Sequence, residues 1–210
     1  MSTNSVVIGL TGNIATGKST VAEYLKRHGA CAIDADRVTH QVMEAGGAAY
    51  EGIVAEFGAA ILDEQGAVDR RKLGEIVFGD AERLGRLEQI VHPAVFAWVY
   101  NKIKASTAKI VVLEAIKLLE AGTMAGLCDE IWVVAASPAT QVRRSLESRG
   151  MPEEETRRRM GMQSPQAAKV NQADRVIDNN GTLAELYAQL DRIWADLQRK
   201  FAARLETAEA

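Results

Sequence analysis

The chain has 210 residues, a net charge of −3, 47% hydrophobic residues and 25% charged residues. That suits one α/β domain with a modest insertion, and it excludes a disordered, collagen-like or fibrous chain. With an acidic balance and 5% aromatic residues, neither nucleic acid nor a membrane is expected as a partner. Cys31 and Cys128 lie far apart with no C-x-x-C spacing, so two free thiols in a reducing cytoplasm are expected. The apolar run Val6–Leu10 is too short for a signal peptide or a membrane span, which points to a cytoplasmic protein.

In chain order, short apolar runs alternate with helical periodicity, the pattern of β-α units around a parallel sheet. Val6–Leu10 reads as a strand buried on both faces. A helix follows from Lys18 to about His28, with Gly29 as its C′ residue. Ala32–Asp34 is the second strand. Residues 37–105 carry several helical patterns and no convincing strand. That stretch is too long for one crossover, so it predicts a helical subdomain beside the sheet. Ile110–Glu114, Ile131–Ala135 and Arg175–Asp178 complete five strands. The expected fold class is α/β, a five-stranded parallel sheet flanked by helices. The last helix opens on Thr182-x-x-Glu185, a capping-box pattern. Its apolar stripe is Leu183, Leu186, Tyr187, Leu190, Ile193, Trp194, Leu197 and Phe201, expected in the core. Residues 205–210 are expected to fray.

Gly12-Asn13-Ile14-Ala15-Thr16-Gly17-Lys18-Ser19 fits G-x-x-x-x-G-K-[ST] and sits between a strand and a helix start, where a P-loop belongs. Its glycines let backbone N–H groups converge on an anion, and the positive end of the helix adds to that field. Lys18 is expected on the β- and γ-phosphate oxygens, the Ser19 hydroxyl on Mg²⁺ and Thr20 near the α-phosphate. The loop announces a nucleoside triphosphate but does not separate kinase, GTPase and ATPase. Ile33-Asp34-Ala35-Asp36 then emerges at the C-terminal end of the second strand, the edge where open α/β sheets bind ligands. Two carboxylates there serve Mg²⁺ and an attacking hydroxyl, or they cap the next helix. A P-loop on the first strand favours the first reading.

Gly9-Leu-Thr-Gly12, the P-loop and Ile33-Asp-Ala-Asp36 together resemble the dephospho-CoA kinase family. Further stretches match in order: Asp63-Glu-Gln-Gly66-Ala-Val-Asp69-Arg70, Leu87-Glu88-Gln-Ile90-Val-His92-Pro93, Arg159-Met160 with Gln163, and Ala173-Asp174-Arg-Val-Ile-Asp178-Asn179-Asn-Gly181. The resemblance runs from about residue 6 to 197. It implies a P-loop NTPase fold with a core of 1–36 and 106–205, a helical acceptor-binding insertion over about 37–105 and a lid over about 140–165. It also implies that ATP phosphorylates the ribose 3′-hydroxyl of dephospho-CoA, giving coenzyme A and ADP.

In that reading Asp36 orients and deprotonates the acceptor hydroxyl and Asp34 supports Mg²⁺ or the strand end. His92-Pro93 joins the acceptor site; without the resemblance, His92 reads as a helix-terminal residue before the proline. Arginines cluster at 143, 144, 149 and 157–159. Arg144 and Arg149 are expected on the phosphates, while Arg157 to Arg159 more often face solvent. Residues 176–181 are expected to line the adenine pocket, with backbone contacts near Asn179.

Two stretches depart from the family's pattern. Glu114-Ala-Ile-Lys117-Leu-Leu-Glu120 stands where an aspartate followed by V-P-L-L is usual. Glu114 and Lys117 are assigned to the acceptor pocket, although the preferred partner of Lys117 is Glu114 or Glu120 on a helix face. Asn13 and Ala15 replace two glycines at positions the P-loop pattern leaves open, so ATP binding is expected to survive. The rivals are another small P-loop kinase for a nucleoside, nucleotide or sugar acid, a GTPase-type switch, and a nucleic-acid binder using the basic cluster. The switch finds its D-x-x-G at Asp63–Gly66 but lacks N-K-x-D, since the only Asn-Lys pair reads Asn101-Lys102-Ile103-Lys104. A monomer or weak oligomer is expected.

Overall fold

The computed structural model describes residues 5–120 and 122–207. Five strands form one sheet: β1 (Val6–Thr11), β2 (Cys31–Asp34), β3 (Ile110–Glu114), β4 (Glu130–Ala135) and β5 (Arg175–Asp178), in the order β2-β3-β1-β4-β5. β1 is central, pairing in parallel with β3 and β4, and β4 pairs in parallel with β5. All six β1 residues are buried, which a run without charge permits. The five strands are those the sequence predicts, with Thr11, Cys31 and Glu130 added at their ends. Glu130 escapes a hydropathy reading because it is a carboxylate buried at 2% exposure.

Helix α1 (Lys18–Arg27) ends as expected: Gly29 at φ 89° closes a Schellman motif, with Gly29 N–H donating to Lys26 O at 3.0 Å and Ala30 N–H to Leu25 O at 3.0 Å. The chain then forms two compact units. One comprises Met1–Ile33 with Ile103–Ala210, the other Asp34–Lys102.

Within the second unit lie α2 (Ala35–Met43), α3 (Tyr50–Phe57), α4 (Arg70–Val77) and most of α5 (Ala81–Lys104). Val38, Val42, Ile53, Ile61, Leu73, Val77, Val91, Val95 and Val99 are among its buried side chains. The Asp63–Gly66 stretch is a tight turn beneath a single bridge between Leu62 and Val68, the one strand-like feature of this unit among the described residues. Asp63 Oδ1 accepts from the N–H groups of Gln65 and Ala67 at 2.9 and 2.8 Å, so its carboxylate serves the turn itself.

The remaining helices are α6 (Pro138–Arg149), α7 (Glu153–Gly161), α8 (Gln166–Val170), α9 (Leu183–Lys200) and α10 (Ala202–Thr207). α9 opens on a complete capping box between Thr182 and Glu185. Its Leu186, Leu190, Trp194 and Leu197 join Val21, Leu25, Trp132 and Ile177 in the core, with Tyr187, Ile193 and Phe201 partly buried against it. Leu183 departs from the expectation: it is 54% exposed, at the first helical position, ahead of the first buried turn. Residues 205–207 are helical rather than frayed, because Arg204 anchors α10 to Asp129 and to the Ser5 carbonyl. Residues 208–210 lie outside the described residues. Both cysteines are free and partly buried. Burial, then the Asp129 charge, pushes the Cys128 thiol up to about 12, so it stays protonated and unreactive.

Candidate active site

The loop between β1 and α1 is shaped by backbone geometry that its sequence permits. Gly12 has φ 153°, and a Cβ there would stand 2.4 Å from the Val134 carbonyl oxygen of β4. Gly17 has φ 99°, and a Cβ there would stand 2.2 Å from the Asn179 amide nitrogen. Among the described residues Ala15 is the one non-glycine with positive φ, 56°, where the family's usual loop has glycine. A single left-handed alanine costs about 1 kcal/mol, which the loop tolerates.

Lys18 is buried, and its Nζ donates to Gly12 O at 2.9 Å and Asn13 O at 3.3 Å. The Thr16 hydroxyl donates to Asn13 O at 3.0 Å. Ser19 is exposed in the first turn of α1, with Thr20 beside it half-buried. Three side chains and one backbone carbonyl from the later part of the chain brace this loop. Asn179 Nδ2 donates to Thr16 O at 2.8 Å, and Arg144 reaches Thr16 O at 3.5 Å and Asn179 Oδ1 at 3.4 Å. Gln163 Oε1 accepts from Ile14 N–H at 2.9 Å. The Ser164 hydroxyl bonds Glu120, while the Ser164 carbonyl accepts from Asn13 Nδ2 at 3.2 Å.

Asn179 is thus a buried strut of the phosphate loop through its side chain, with its backbone N–H donating to Ala135 O at 2.9 Å. Its neighbour Asn180 accepts from Ser137 N–H at 2.7 Å and helps fix the start of α6. Gln163 was legible only as a motif letter and Ser164 not at all, because nothing local says that they bond a loop about 150 residues away.

The arginine cluster divides sharply. Arg143 pairs with Glu147 at 3.3 Å, and Arg157, Arg158 and Arg159 pair with Glu153 or Glu155 at 2.7 Å, all on their own helices. Those four form a solvated, charge-balanced face. Arg144 instead points to the phosphate loop. Arg149, exposed in the last turn of α6, has no carboxylate partner among the described residues.

After β3, Glu114 is half-buried and Lys117 exposed. Residues 116–120 are turns rather than the expected helix face. Glu120 is engaged by Lys169 Nζ at 3.1 Å. Burial pushes the Glu120 carboxyl up, but hydrogen bonds from Ser164 and Lys169 outweigh it and hold it below the usual glutamate value.

The remaining predicted residues belong to the second unit. Asp34 caps α2, its Oδ1 accepting from Arg37 N–H at 3.0 Å. Asp36 is exposed in the first turn of α2. Asp34 therefore does cap the next helix, and a carboxylate with two oxygens can do so and still offer one to a ligand. His92 and Pro93 are exposed inside α5, which continues through the proline. His92 is not helix-terminal; Pro93 removes one helical N–H donor and the helix carries on.

The comparisons with known proteins agree with this geometry. The family model described as dephospho-CoA kinase matches residues 6–185. A curated dephospho-CoA kinase from Thermobifida fusca is 42% identical over 94% of this chain and 98% of its own. The crystal structure of TT1252 from Thermus thermophilus superposes with a TM-score of 0.80 at 35% identity, covering 92% of this chain and 98% of that one. A shikimate kinase from Bacteroides thetaiotaomicron, at a TM-score of 0.52 and 14% identity over 92% of this chain and 98% of its own, shares the P-loop kinase fold. With its phosphate loop braced by residues between 144 and 179 and its sequence matched over residues 6–185, this chain belongs to the dephospho-CoA kinase family.

Proposed function

We propose that this chain transfers the γ-phosphoryl group of ATP to the ribose 3′-hydroxyl of dephospho-CoA, giving coenzyme A and ADP, and that the residues gathered around the phosphate loop perform the transfer. The family supplies the reaction. The observation that carries the assignment to residues is the loop itself: a buried Lys18 at its base, inward backbone enforced at Gly12 and Gly17, and Arg144 tied to its Thr16 carbonyl.

Phosphoryl transfer demands positioning and neutralisation of charge more than covalent help. The loop N–H groups from Asn13 to Thr20 cradle the phosphates, and Lys18 moves from its loop carbonyls to the β- and γ-oxygens. Arg144 and Arg149 neutralise the transferring group. The backbone at Asn179 lies toward the adenine. Asp36 accepts the 3′-hydroxyl proton as the ribose oxygen bonds phosphorus and the bond from phosphorus to the β–γ bridging oxygen breaks. His92 and Pro93, on an insertion of about 37–105, and Glu114 and Lys117, after β3, are the acceptor-binding residues, and the lid spans about 140–165.

The donor set also fits Mg²⁺, which takes oxygen ligands and keeps several waters. Ser19 offers an exposed hydroxyl at the helix start and Asp34 an exposed carboxylate. Among the described residues no group of three or more His, Cys, Asp or Glu gathers as a cation site, so phosphate and water would complete the shell. When bound, the cation offsets charge on the β- and γ-phosphates. No helix among the described residues is long and apolar enough to cross a membrane.

An acceptor screen tests the reading. The purified chain with ATP should phosphorylate dephospho-CoA and leave shikimate, gluconate and nucleosides untouched. Preferential phosphorylation of any of those would overturn it.

A further inference from the structure

Lys169 is a fully buried lysine that the reaction described above does not use. It lies on α8, with its side chain 2% exposed. Burying an ammonium is costly unless it is paired and hydrogen-bonded. Lys169 meets both conditions: Nζ donates to Ile116 O at 2.6 Å and pairs with Glu120 at 3.1 Å. The Ile116 carbonyl also accepts from the Thr11 hydroxyl at the end of β1, at 3.1 Å. Glu120 in turn bonds Ser164, whose carbonyl holds Asn13 of the phosphate loop.

These contacts form one connected chain. It starts at the P-loop after β1, passes through Ser164, Glu120 and Lys169, and returns through Ile116 to the end of β1. β1 and β3 are neighbours in the sheet. The two loops that leave their C-terminal ends are therefore joined through Ser164 at one point and Thr11 at the other, and the buried Lys169 ammonium braces the turn between those two points. The carbonyl that Lys169 holds belongs to the peptide joining Ile116 to Lys117, so fixing that plane fixes where the Lys117 backbone starts.

We propose that Lys169, balanced by Glu120, is a positioning residue that holds the turn over 115–120 in register with the phosphate loop, and so aligns the acceptor-side residues with the transferred phosphoryl group. Without this tie the Ile116 carbonyl loses a charge-assisted hydrogen bond of 2.6 Å. A shift of about 1 Å at a reacting centre costs up to about 100-fold in rate. This inference rests on the reading that Glu114 and Lys117 face the acceptor.

The test compares steady-state kinetics and melting for Lys169→Met, Lys169→Arg, Glu120→Gln and Lys117→Ala against wild type, per folded molecule. Lys169→Met should lower kcat/KM for dephospho-CoA about 30-fold. KM for ATP should stay within about twofold, because the loop keeps its Asn179 and Gln163 contacts. Lys169→Arg should recover most of the loss. The double variant Lys169→Met with Glu120→Gln should lose no more than Lys169→Met alone, since both cut one link.

Unchanged kcat/KM at a lowered melting temperature would make Lys169 merely structural and overturn the proposal. So would equal losses for ATP and acceptor. Where Lys169→Met does not fold, Glu120→Gln, which removes the charge that balances Lys169 and so loosens its hold on the turn, should still show the selective acceptor effect, and its failure to do so contradicts the proposal. The underlying reading fails separately: Lys117→Ala would then leave dephospho-CoA kinetics at the wild-type level.

Discussion

Gly17 answers to two demands at once, a left-handed φ of 99° and the approach of Asn179 Nδ2 to 2.2 Å from where a Cβ would stand. Gly17→Ala should therefore raise the ATP KM at least about 10-fold by displacing the Asn179 strut, as an ATP titration would show. The glycine was legible because the P-loop pattern demands it. The strut was not, since Thr16 and Asn179 are 163 residues apart in the chain. Asp36 makes a different prediction. If Asp36 takes the hydroxyl proton as proposed, Asp36→Asn should lower kcat by about 100-fold or more while moving the dephospho-CoA KM little. A change confined to KM would make Asp36 a binding group.

At the scale of elements, what the sequence encodes locally came through and what depends on distant partners did not. The Thr182–Glu185 capping box is local chemistry, and Thr182→Ala should cost about 1 kcal/mol in a urea melt. The stripe of α9 was legible from its period, except at Leu183, where the helix has started but the core has not. The α5 helix passes a proline because Val91, Val95 and Val99 bury one face across it, which offsets one lost hydrogen bond. The arginines of α6 and α7 looked alike in sequence and differ in structure. Arg157→Ala and Arg159→Ala should change kcat by less than about twofold, since each leaves an exposed ion pair. Arg149→Ala, at a side chain with no carboxylate partner among the described residues, should cost about 10-fold or more. Equal effects at all three positions would remove that distinction.

Across the whole molecule, stability leans on a carboxylate that composition cannot flag. Glu130, 2% exposed on β4, accepts from Trp132 Nε1 at 2.8 Å, Arg175 at 2.7 Å and Lys200 at 2.8 Å. Burial pushes its carboxyl up, but the hydrogen bonds from Arg175, Lys200 and Trp132 outweigh it and hold it at about 2. The folded value lies below the unfolded one of about 4.3, so this contribution is complete above that pH and fades as pH falls towards 2. Glu130→Gln should cost about 3 kcal/mol near neutrality. Urea melts should show the gap to wild type narrowing below about pH 4. A gap that does not change with pH would contradict the charge network.

The five strands and the P-loop were readable because each is a contiguous pattern. The braces on the loop, and the pairing that lets a glutamate sit inside a parallel sheet, exist only after the chain has folded. The most direct test of the central claim is phosphoryl transfer from ATP to dephospho-CoA by the purified chain, with the product's phosphate located on the ribose. Coenzyme A should accumulate with the wild-type chain and fail to accumulate with Lys18→Ala; coenzyme A from Lys18→Ala at the wild-type rate, or none from the wild type, would contradict the account.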